Sequence, residues 1–181
     1  MFTQDWFSMH IDTWTELFKT FGKPKKILEI GSFEGKSTCW MLDNTDANVT
    51  CVDTWDGSDE HTEDMKNGLY DRFCENISQY KDRVTIFRGQ SGIILRNFQC
   101  TEEYDFVYID GSHKSQDVLE DAVLSWRLVK PGGIIIFDDF LWKGGGDDLN
   151  SLENPHQGIL AFVHIYKCKV VLQNNQLVII K

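Results

Sequence analysis

The chain has 181 residues, 41% of them hydrophobic, and carries 28 Asp and Glu against 18 Lys and Arg, a formal net charge of −10. A chain of this size and composition can bury the core of one domain, which excludes an intrinsically disordered protein. So acidic a surface repels phosphate backbones, and we therefore expect no general binding of nucleic acid.

Signals for a membrane, for export and for disulfides are weak. The longest apolar run, residues 159–163, is far shorter than the ~20 residues of a membrane span, so we expect no membrane partner. The first residues lack the basic and then apolar layout of a signal peptide. Five cysteines without a Cys-x-x-Cys pair favour reduced thiols over a disulfide framework or a zinc site. These features predict a cytoplasmic protein.

The first predicted elements along the chain are helical. Residues 1–24 form an N-terminal segment in which positions 5–21, rich in Trp and Phe, pack as one or two helices. Five β-rich runs follow, apolar on consecutive residues as in strands buried on both faces of a parallel sheet. They are Lys26–Ile30, Asn48–Asp53, and residues 83–87, 105–109 and 134–137.

Helical patterns lie between these strands. An apolar stripe that recurs every four residues predicts helix from Met65 to Ile77. Another stripe runs from Leu119 to Trp126. We expect the Lys130-Pro131-Gly132-Gly133 sequence to terminate that second helix and to lead into the fifth strand.

The tail departs from this alternation. Asn154 and Pro155 begin a helix that reaches residue 166, and two strands follow at residues 168–172 and Leu177–Ile180. The short turn between them makes this pair antiparallel. The sequence therefore predicts one α/β domain over residues 1–181. Its doubly wound, Rossmann-like, mostly parallel sheet occupies residues 25–181 and is completed by an antiparallel C-terminal hairpin.

Residues that follow the first two strands are candidates for cofactor binding, because ligands of such sheets bind beyond the carboxyl ends of the strands. Gly31 permits a tight turn after the first strand, and Gly35 allows a close approach to the next helix. An ordinary strand-to-helix turn has the same pattern. Asp53 ends the second strand, where its carboxylate suits the ribose of a nucleoside cofactor or caps the following segment.

Acidic residues also follow the fourth and fifth strands. Asp110 ends the fourth, and Asp138 and Asp139 end the fifth, so we expect three carboxylates to converge at one rim. Their mutual repulsion favours a divalent cation with oxygen ligands, Mg²⁺ by default. Alternatively, the aspartate pair caps loop backbone while Asp110 serves the cofactor. His113 belongs to the same rim and is either a general base or a structural histidine.

Four motifs together resemble the class I S-adenosylmethionine-dependent methyltransferases, and more narrowly their metal-dependent O-methyltransferases of the catechol and natural-product sugar types. The motifs are Glu29-x-Gly31-x-x-x-Gly35, Val52-Asp53-Thr54-Trp55, Tyr108-Ile109-Asp110-Gly111-Ser112-His113, and Lys130-Pro131-Gly132-Gly133 through Asp138-Asp139. The resemblance runs from about Ile27 to Lys181. It implies a seven-stranded sheet in the order 3-2-1-4-5-7-6 and an enzyme that uses S-adenosylmethionine.

The resemblance also implies residue roles. The cofactor shell would comprise Glu29, Gly31, Ser32, Phe33, Gly35, Ser37, Asp53, Thr54, Trp55, Gln90, Ser91 and Asp110. In that shell Glu29 and Gly31 shape the methionine end, Ser37 contacts the methionine carboxylate and Asp53 holds the ribose. Gln90 and Ser91 surround the adenine, and Trp55 is a candidate stacking wall. Mg²⁺ would be held by Asp110, Asp138 and Asp139, with Asp110 and His113 catalytic and His113 the base.

Two departures from the family pattern bear on the substrate. Phe33 stands where the common glycine pattern has its middle glycine, which changes the pocket floor. The catechol-type enzymes have Asp-Asn and a Lys base, whereas this chain has Asp-Asp and His113. The difference favours a sugar or alcohol acceptor over a catechol.

Alternatives remain open at this point. One is a small-molecule methyltransferase without a metal, and another is a module that binds the cofactor without catalysis. An NAD dehydrogenase is disfavoured because the glycine spacing does not suit a pyrophosphate. The hydroxylated acceptor would lie near residues 56–68, an acidic lid, and near residues 141–154, where Trp142 stacks on a ring; plain surface loops are the alternative. A homodimer is compatible with the sequence.

Overall fold

The computed structural model describes residues 1–58, 61–144 and 148–181. In these residues the strands are Lys26–Ile30 (β1), Asn48–Asp53 (β2), Val84–Arg88 (β3), Tyr104–Ile109 (β4), Val129–Phe137 (β5), Lys169–Gln173 (β6) and Leu177–Ile180 (β7). The α-helices are Ile11–Phe21 (α1), Lys36–Asn44 (α2), Glu63–Lys66 (α3), Leu69–Asn76 (α4), Ser91–Leu95 (α5), Ser115–Trp126 (α6) and His156–Tyr166 (α7). Two 3₁₀ helices cover Ser8–His10 and Ser78–Arg83.

The seven strands form one sheet in the order β3-β2-β1-β4-β5-β7-β6, which confirms the predicted topology. Strands β1 to β5 are parallel, whereas β7 pairs antiparallel with both β5 and β6. The parallel register places Ile30 beside Val52 and Ile109, and Ile109 beside Phe137. The carboxyl ends of the parallel strands therefore meet at one edge of the sheet.

Both faces of the sheet are buried, as the consecutive apolar residues predicted. Ile27 and Phe106 point to one face, where they pack with the buried rings of Trp14 and Phe18 from α1. The next residue of each strand points to the opposite face and packs among the side chains of α6 and α7. Alternation within the strands thus supplies two hydrophobic cores from apolar runs.

Two helix predictions were wrong in detail. The helix predicted from Met65 to Ile77 is divided into α3 and α4, because Gly68 takes a left-handed φ of +68° between them. Lys130–Gly133 lies within β5 instead of ending a helix, since α6 already ends at Trp126. The main chain of this stretch pairs with the C-terminal residue: Gly132 N donates to Lys181 O at 2.9 Å.

The N-terminal region contains a 3₁₀ helix and an α-helix before β1, in agreement with the one or two helices predicted there. Only Ser8–His10 and α1 are helical, and the preceding residues run along the carboxyl edge of the sheet. No helix in the described part of the chain is long and apolar enough to cross a membrane. The five cysteines are free thiols, in agreement with the absence of a disulfide framework.

Candidate active site

A cavity of about 1120 Å³ opens at the carboxyl edge of the parallel strands. The turns after β1, β2, β3, β4 and β5 all contribute to its lining. Most of the predicted site residues line it, namely Gly31, Ser32, Phe33, Ser37, Asp53, Thr54, Gln90, Ser91, Asp110, His113, Asp138 and Asp139. The topology therefore gathers residues that are far apart in the sequence.

The turn after β1 requires glycine at its first position. Gly31 has a φ of +84°, and a Cβ there would stand 1.9 Å from the main-chain oxygen of Asp110. Gly35 has a φ of +81° and precedes α2, and a Cβ on it would meet the Phe73 ring at 2.9 Å. The turn consequently lies close against the end of β4.

Glu29 organises this turn from beneath, fully buried in β1. The hydroxyls of Ser37 and Ser32 donate to its carboxylate at 2.5 and 2.7 Å, and the Thr38 hydroxyl donates to it as well. Burial raises the pKa of Glu29, and these hydroxyls oppose that effect. Glu29 does not line the cavity. The structure shows Glu29 supporting the turn after β1, and its contribution to a methionine pocket stays a prediction.

Asp53 connects the turns after β1 and β2. Its Oδ2 accepts hydrogen bonds from the backbone N–H groups of Ser32 and Phe33 at 2.8 and 2.9 Å. Its Oδ1 accepts one from Trp55 N at 2.8 Å. The capping alternative is therefore seen in the structure, and Asp53 still lines the cavity. Contact with a ribose stays a prediction.

Trp55 occupies a different place from the stacking wall expected from the sequence. Its ring is 2% exposed, packs on Tyr70 and Phe73, and donates from Nε1 to the Phe33 main-chain oxygen at 2.9 Å. The stacking prediction is wrong because the indole is part of the core, where burial of its apolar area outweighs exposure to the cavity. Its hydrogen bond instead fixes Phe33, which has a left-handed φ of +47°.

The rim after β4 and β5 holds a group of side chains that suits a cation. Ligand atoms of Asp110, His113 and Asp139 lie within 4.8 Å of one another, and His113 Nε2 is 2.9 Å from Asp139 Oδ2. Burial, followed by the charges of Asp138 and Asp139, raises the pKa of Asp110 well above its ordinary value. Two carboxylates and an imidazole are a donor set that divalent cations accept, and a cation would relieve this repulsion.

Asp138 faces protein groups instead of this cluster. The Tyr108 hydroxyl lies 2.9 Å from Asp110 Oδ2 and also hydrogen-bonds Asp138 Oδ2. Asp138 Oδ1 accepts from Asp139 N at 2.8 Å and lies 3.5 Å from His10 Nε2. The structure thus joins His113, rather than Asp138, to the two carboxylates. The ligand role of Asp138 stays a prediction.

The N-terminal segment forms a wall of the cavity that sequence reasoning missed. Trp6, Met9 and His10 line it, and the Trp6 ring stacks on His61 and packs against Phe33, with centroids 5.5 and 4.9 Å apart. The sequence signal for this wall was the cluster of aromatic residues before the first strand. The same cluster also indicates core packing, and Trp14 does pack in the core.

Glu34 fastens this wall to the turn after β1. It is 1% exposed and accepts from Thr3 N at 2.6 Å, from Thr3 Oγ1 at 2.7 Å and from Arg72 Nε at 2.7 Å. Burial acts to raise its pKa, but the bonds from Thr3 and Arg72 outweigh it and lower the pKa. One carboxylate therefore connects the N-terminal wall, the turn after β1 and α4.

Both loops expected to surround an acceptor reach the cavity. Gly57, Ser58 and His61 line it from the acidic loop, and Leu141, Trp142, Gly144 and Glu153 line it from the loop after β5. The Trp142 ring packs on His113 with centroids 4.2 Å apart. Residues 59–60 and 145–147, parts of the predicted acidic and glycine-rich stretches, lie outside the described residues.

Comparison with known proteins identifies the family of the chain. Residues 28–140 match a family model described as a methyltransferase domain. An O-methyltransferase of Aspergillus hancockii is 27% identical over 70% of this chain and 47% of its own length. A caffeoyl-CoA O-methyltransferase of Populus kitakamiensis is 31% identical over 66% of this chain and 48% of its own. The chain thus spans about half the length of these relatives.

Solved structures share the fold. The O-methyltransferase from Bacillus cereus, solved in complex with S-adenosylhomocysteine, superposes with a TM-score of 0.68 at 22% identity and covers 99% of this chain and 84% of its own. An O-methyltransferase from Streptomyces achromogenes, in complex with S-adenosylmethionine, gives a TM-score of 0.66 at 17% identity, with 92% and 77% covered.

Proposed function

The chain belongs to the methyltransferase domain family, and on that basis we propose that it transfers a methyl group from S-adenosylmethionine to a hydroxyl group of a small molecule, assisted by a divalent cation. The observation that supports this most directly is the rim at which Asp110, His113 and Asp139 converge beside the glycine turn. A cation site next to a nucleoside site suits methylation of an oxygen nucleophile.

The part of the cavity that we assign to the cofactor lies at the turn after β1. Gly31, Ser32, Ser37 and Asp53 line it. We assign the methionine part of the cofactor to the turn after β1, the ribose to Asp53, and the adenine to Gln90 and Ser91. The cofactor, when bound, supplies an activated sulfonium methyl group, so no covalent enzyme intermediate is needed.

The acceptor half contains the proton-handling group. Asp110 and Asp139 would hold the cation, Mg²⁺ by default, which when bound lowers the pKa of an acceptor hydroxyl. His113 removes the hydroxyl proton, a task for which an imidazole has a suitable pKa range. Trp142 packs on His113 and limits the orientations of the imidazole ring. Trp6, Met9 and Leu141 present apolar surface toward the acceptor.

The metal-independent alternative draws on the contact between His113 Nε2 and Asp139 Oδ2, which are 2.9 Å apart. In that version Asp139 orients the imidazole and proton removal proceeds unaided. The alternative of a cofactor-binding module without catalysis would leave the rim unexplained. Both alternatives differ from the proposal in a measurable way.

The test combines binding and turnover. Isothermal titration calorimetry with S-adenosylhomocysteine and then Mg²⁺ measures the affinity of both sites. The proteins are the wild type, Asp139→Asn and, as a control, Asp82→Asn, which changes an exposed carboxylate that does not line the cavity. Methyl transfer to a panel of sugars, alcohols and phenols is followed by release of S-adenosylhomocysteine.

We expect Asp139→Asn and EDTA each to abolish transfer, while Asp82→Asn behaves as the wild type. Full activity in EDTA would establish the metal-independent alternative. Cofactor binding without turnover of any acceptor would support the non-catalytic module. Failure to bind S-adenosylhomocysteine at all would contradict the proposal as a whole.

A further inference from the structure

One carboxyl group of the cavity has no part in the methyl transfer described above. Asp121 lies in α6, lines the cavity and is only 2% exposed. A Cβ built on Gly111 would lie 3.8 Å from Asp121 Oδ2, so this oxygen is beside the turn that follows β4. The Ser91 hydroxyl, at the start of α5, lowers the pKa of the same carboxyl group. Asp121 therefore lies where α5 faces α6.

Asp121 has few partners for a buried carboxyl group. Burial is the largest of the effects that raise its pKa to about 7; the Ser91 hydroxyl opposes it and Asp117 adds to it. No basic side chain in the described part of the chain is among the groups that shift this pKa. A carboxyl group offers several acceptor positions, and burying it with a single donor is unfavourable. A donor on a ligand would satisfy the remaining positions.

The surroundings of Asp121 suit a flat ligand. Gly92 and Gly111 line the cavity without side chains, and a Cβ on Gly92 would lie 2.7 Å from Glu120 Oε2. Ile93, which is 61% exposed, adds an aliphatic surface to the same end of α5. Backbone and an aliphatic side chain beside one buried acceptor match a planar ring that carries an N–H donor on its edge.

We propose that Asp121 accepts a hydrogen bond from the exocyclic amino group of adenine, and thereby selects a 6-aminopurine cofactor over a 6-oxopurine one. The inference rests on the proposed function, since it assigns part of the same cofactor site. It adds Asp121, a residue of α6, to Gln90 and Ser91 as a residue that determines specificity for the adenine. A 6-oxopurine presents an oxygen in place of the amino donor, and two acceptors would then face each other.

The experiment compares two ligands in the metal-free protein. Calorimetry in EDTA measures the affinity of S-adenosylhomocysteine and of S-inosylhomocysteine, which differs by the 6-oxo group. The proteins are the wild type, Asp121→Asn and, as a matched control, Asp71→Asn, which changes an exposed acid of α4. Thermal melts of each variant establish that it is folded before binding is compared.

We expect the wild type and Asp71→Asn to prefer the adenosyl ligand by roughly 10- to 100-fold. In Asp121→Asn the preference falls to less than about 3-fold, because the amide can donate to the 6-oxo group. A wild-type ratio near 1, or an unchanged ratio in the variant, overturns the assignment of Asp121 while leaving the proposed function intact. Absence of S-adenosylhomocysteine binding in the wild type overturns both.

Discussion

Gly31 and Asp110 touch through their main chains: a Cβ at position 31 would stand 1.9 Å from the Asp110 carbonyl oxygen. Beside this contact, Asp110 N donates to Ile30 O at 2.8 Å. The turn that would hold the cofactor and the strand that carries a candidate cation ligand are therefore in direct contact. Neither can be displaced without moving the other.

A first prediction concerns this contact. Gly31→Ala should abolish binding of S-adenosylhomocysteine and lower the free energy of unfolding, since the new methyl group collides with Asp110 and also requires a positive φ. Gly132→Ala is the matched control, because Gly132 has a φ of +80° with open space around it. The control should lose about 1–2 kcal/mol from the backbone alone, and Gly31→Ala about 1–3 kcal/mol more.

Urea unfolding and calorimetry measure the two effects. Equal losses of stability in the two variants would show that the close approach at Gly31 relaxes without cost. Retained affinity for S-adenosylhomocysteine in Gly31→Ala would show that cofactor binding does not depend on the close contact between Gly31 and Asp110.

A second prediction concerns Glu29. Glu29→Gln replaces an acceptor of several hydroxyl bonds with a group that is half donor, so it should destabilise the fold by about 1–3 kcal/mol. Cofactor affinity should fall with it, although Glu29 does not line the cavity, because Ser32 and Ser37 lose their anchor. Glu75→Gln, an exposed acid of α4, is the control. Undiminished affinity for S-adenosylhomocysteine in Glu29→Gln would show that Glu29 does not support the cofactor site.

A third prediction concerns His113. His113→Ala should reduce kcat by roughly 10²- to 10⁴-fold, the usual contribution of a general base, and leave the affinity for S-adenosylhomocysteine unchanged. His164→Ala, an exposed histidine of α7, should have no effect. Mg²⁺ affinity of the same variant distinguishes two roles: a base leaves it nearly intact, whereas a ligand lowers it together with kcat. Wild-type turnover in His113→Ala excludes both.

A fourth prediction concerns pH and Asp121. Its pKa is raised from 3.8 to about 7 in the fold, so the native state holds a proton that the unfolded chain releases between these values. The resulting stability is complete below the unfolded pKa and is lost as the pH rises toward 7, by about 1.4 kcal/mol per unit. Above 7 the dependence should level off.

Urea unfolding of the metal-free protein from pH 5 to 8 tests this, with Asp121→Asn as the reference. The difference between wild type and variant should slope downward to about pH 7. Parallel stability curves would mean that Asp121 is ionised throughout the range.

The sheet could be predicted from the sequence because its signals are local. Consecutive apolar residues in β1 and β4 mark strands buried on both faces, and Asn174-Asn175 marks the hairpin turn. The division of the helix at Gly68 could not be predicted, because a glycine also fits within an amphipathic helix at a modest cost. Its left-handed conformation depends on tertiary packing.

The candidate site was predictable only in part for a similar reason. Topology brings the ends of β4 and β5 together, so the proximity of Asp110 and Asp139 follows from strand order. The direction of a side chain does not: Asp138 turns to Tyr108, and Trp55 turns into the core. Contributions from before β1, such as His10, depend on how the N-terminal segment crosses the edge of the sheet.

The three-way connection at Glu34 has a consequence for how ligands are sensed. Thr3 and Arg72 both donate to this buried carboxylate, so the N-terminal wall and α4 are both hydrogen-bonded to the turn after β1. We therefore expect a cofactor that tightens the turn after β1 to affect residues 3–10 as well. Hydrogen–deuterium exchange should slow there on addition of S-adenosylhomocysteine, and Glu34→Gln should confine the protection to the turn. We therefore expect cofactor binding to be transmitted to the N-terminal wall through Glu34 in the absence of any acceptor.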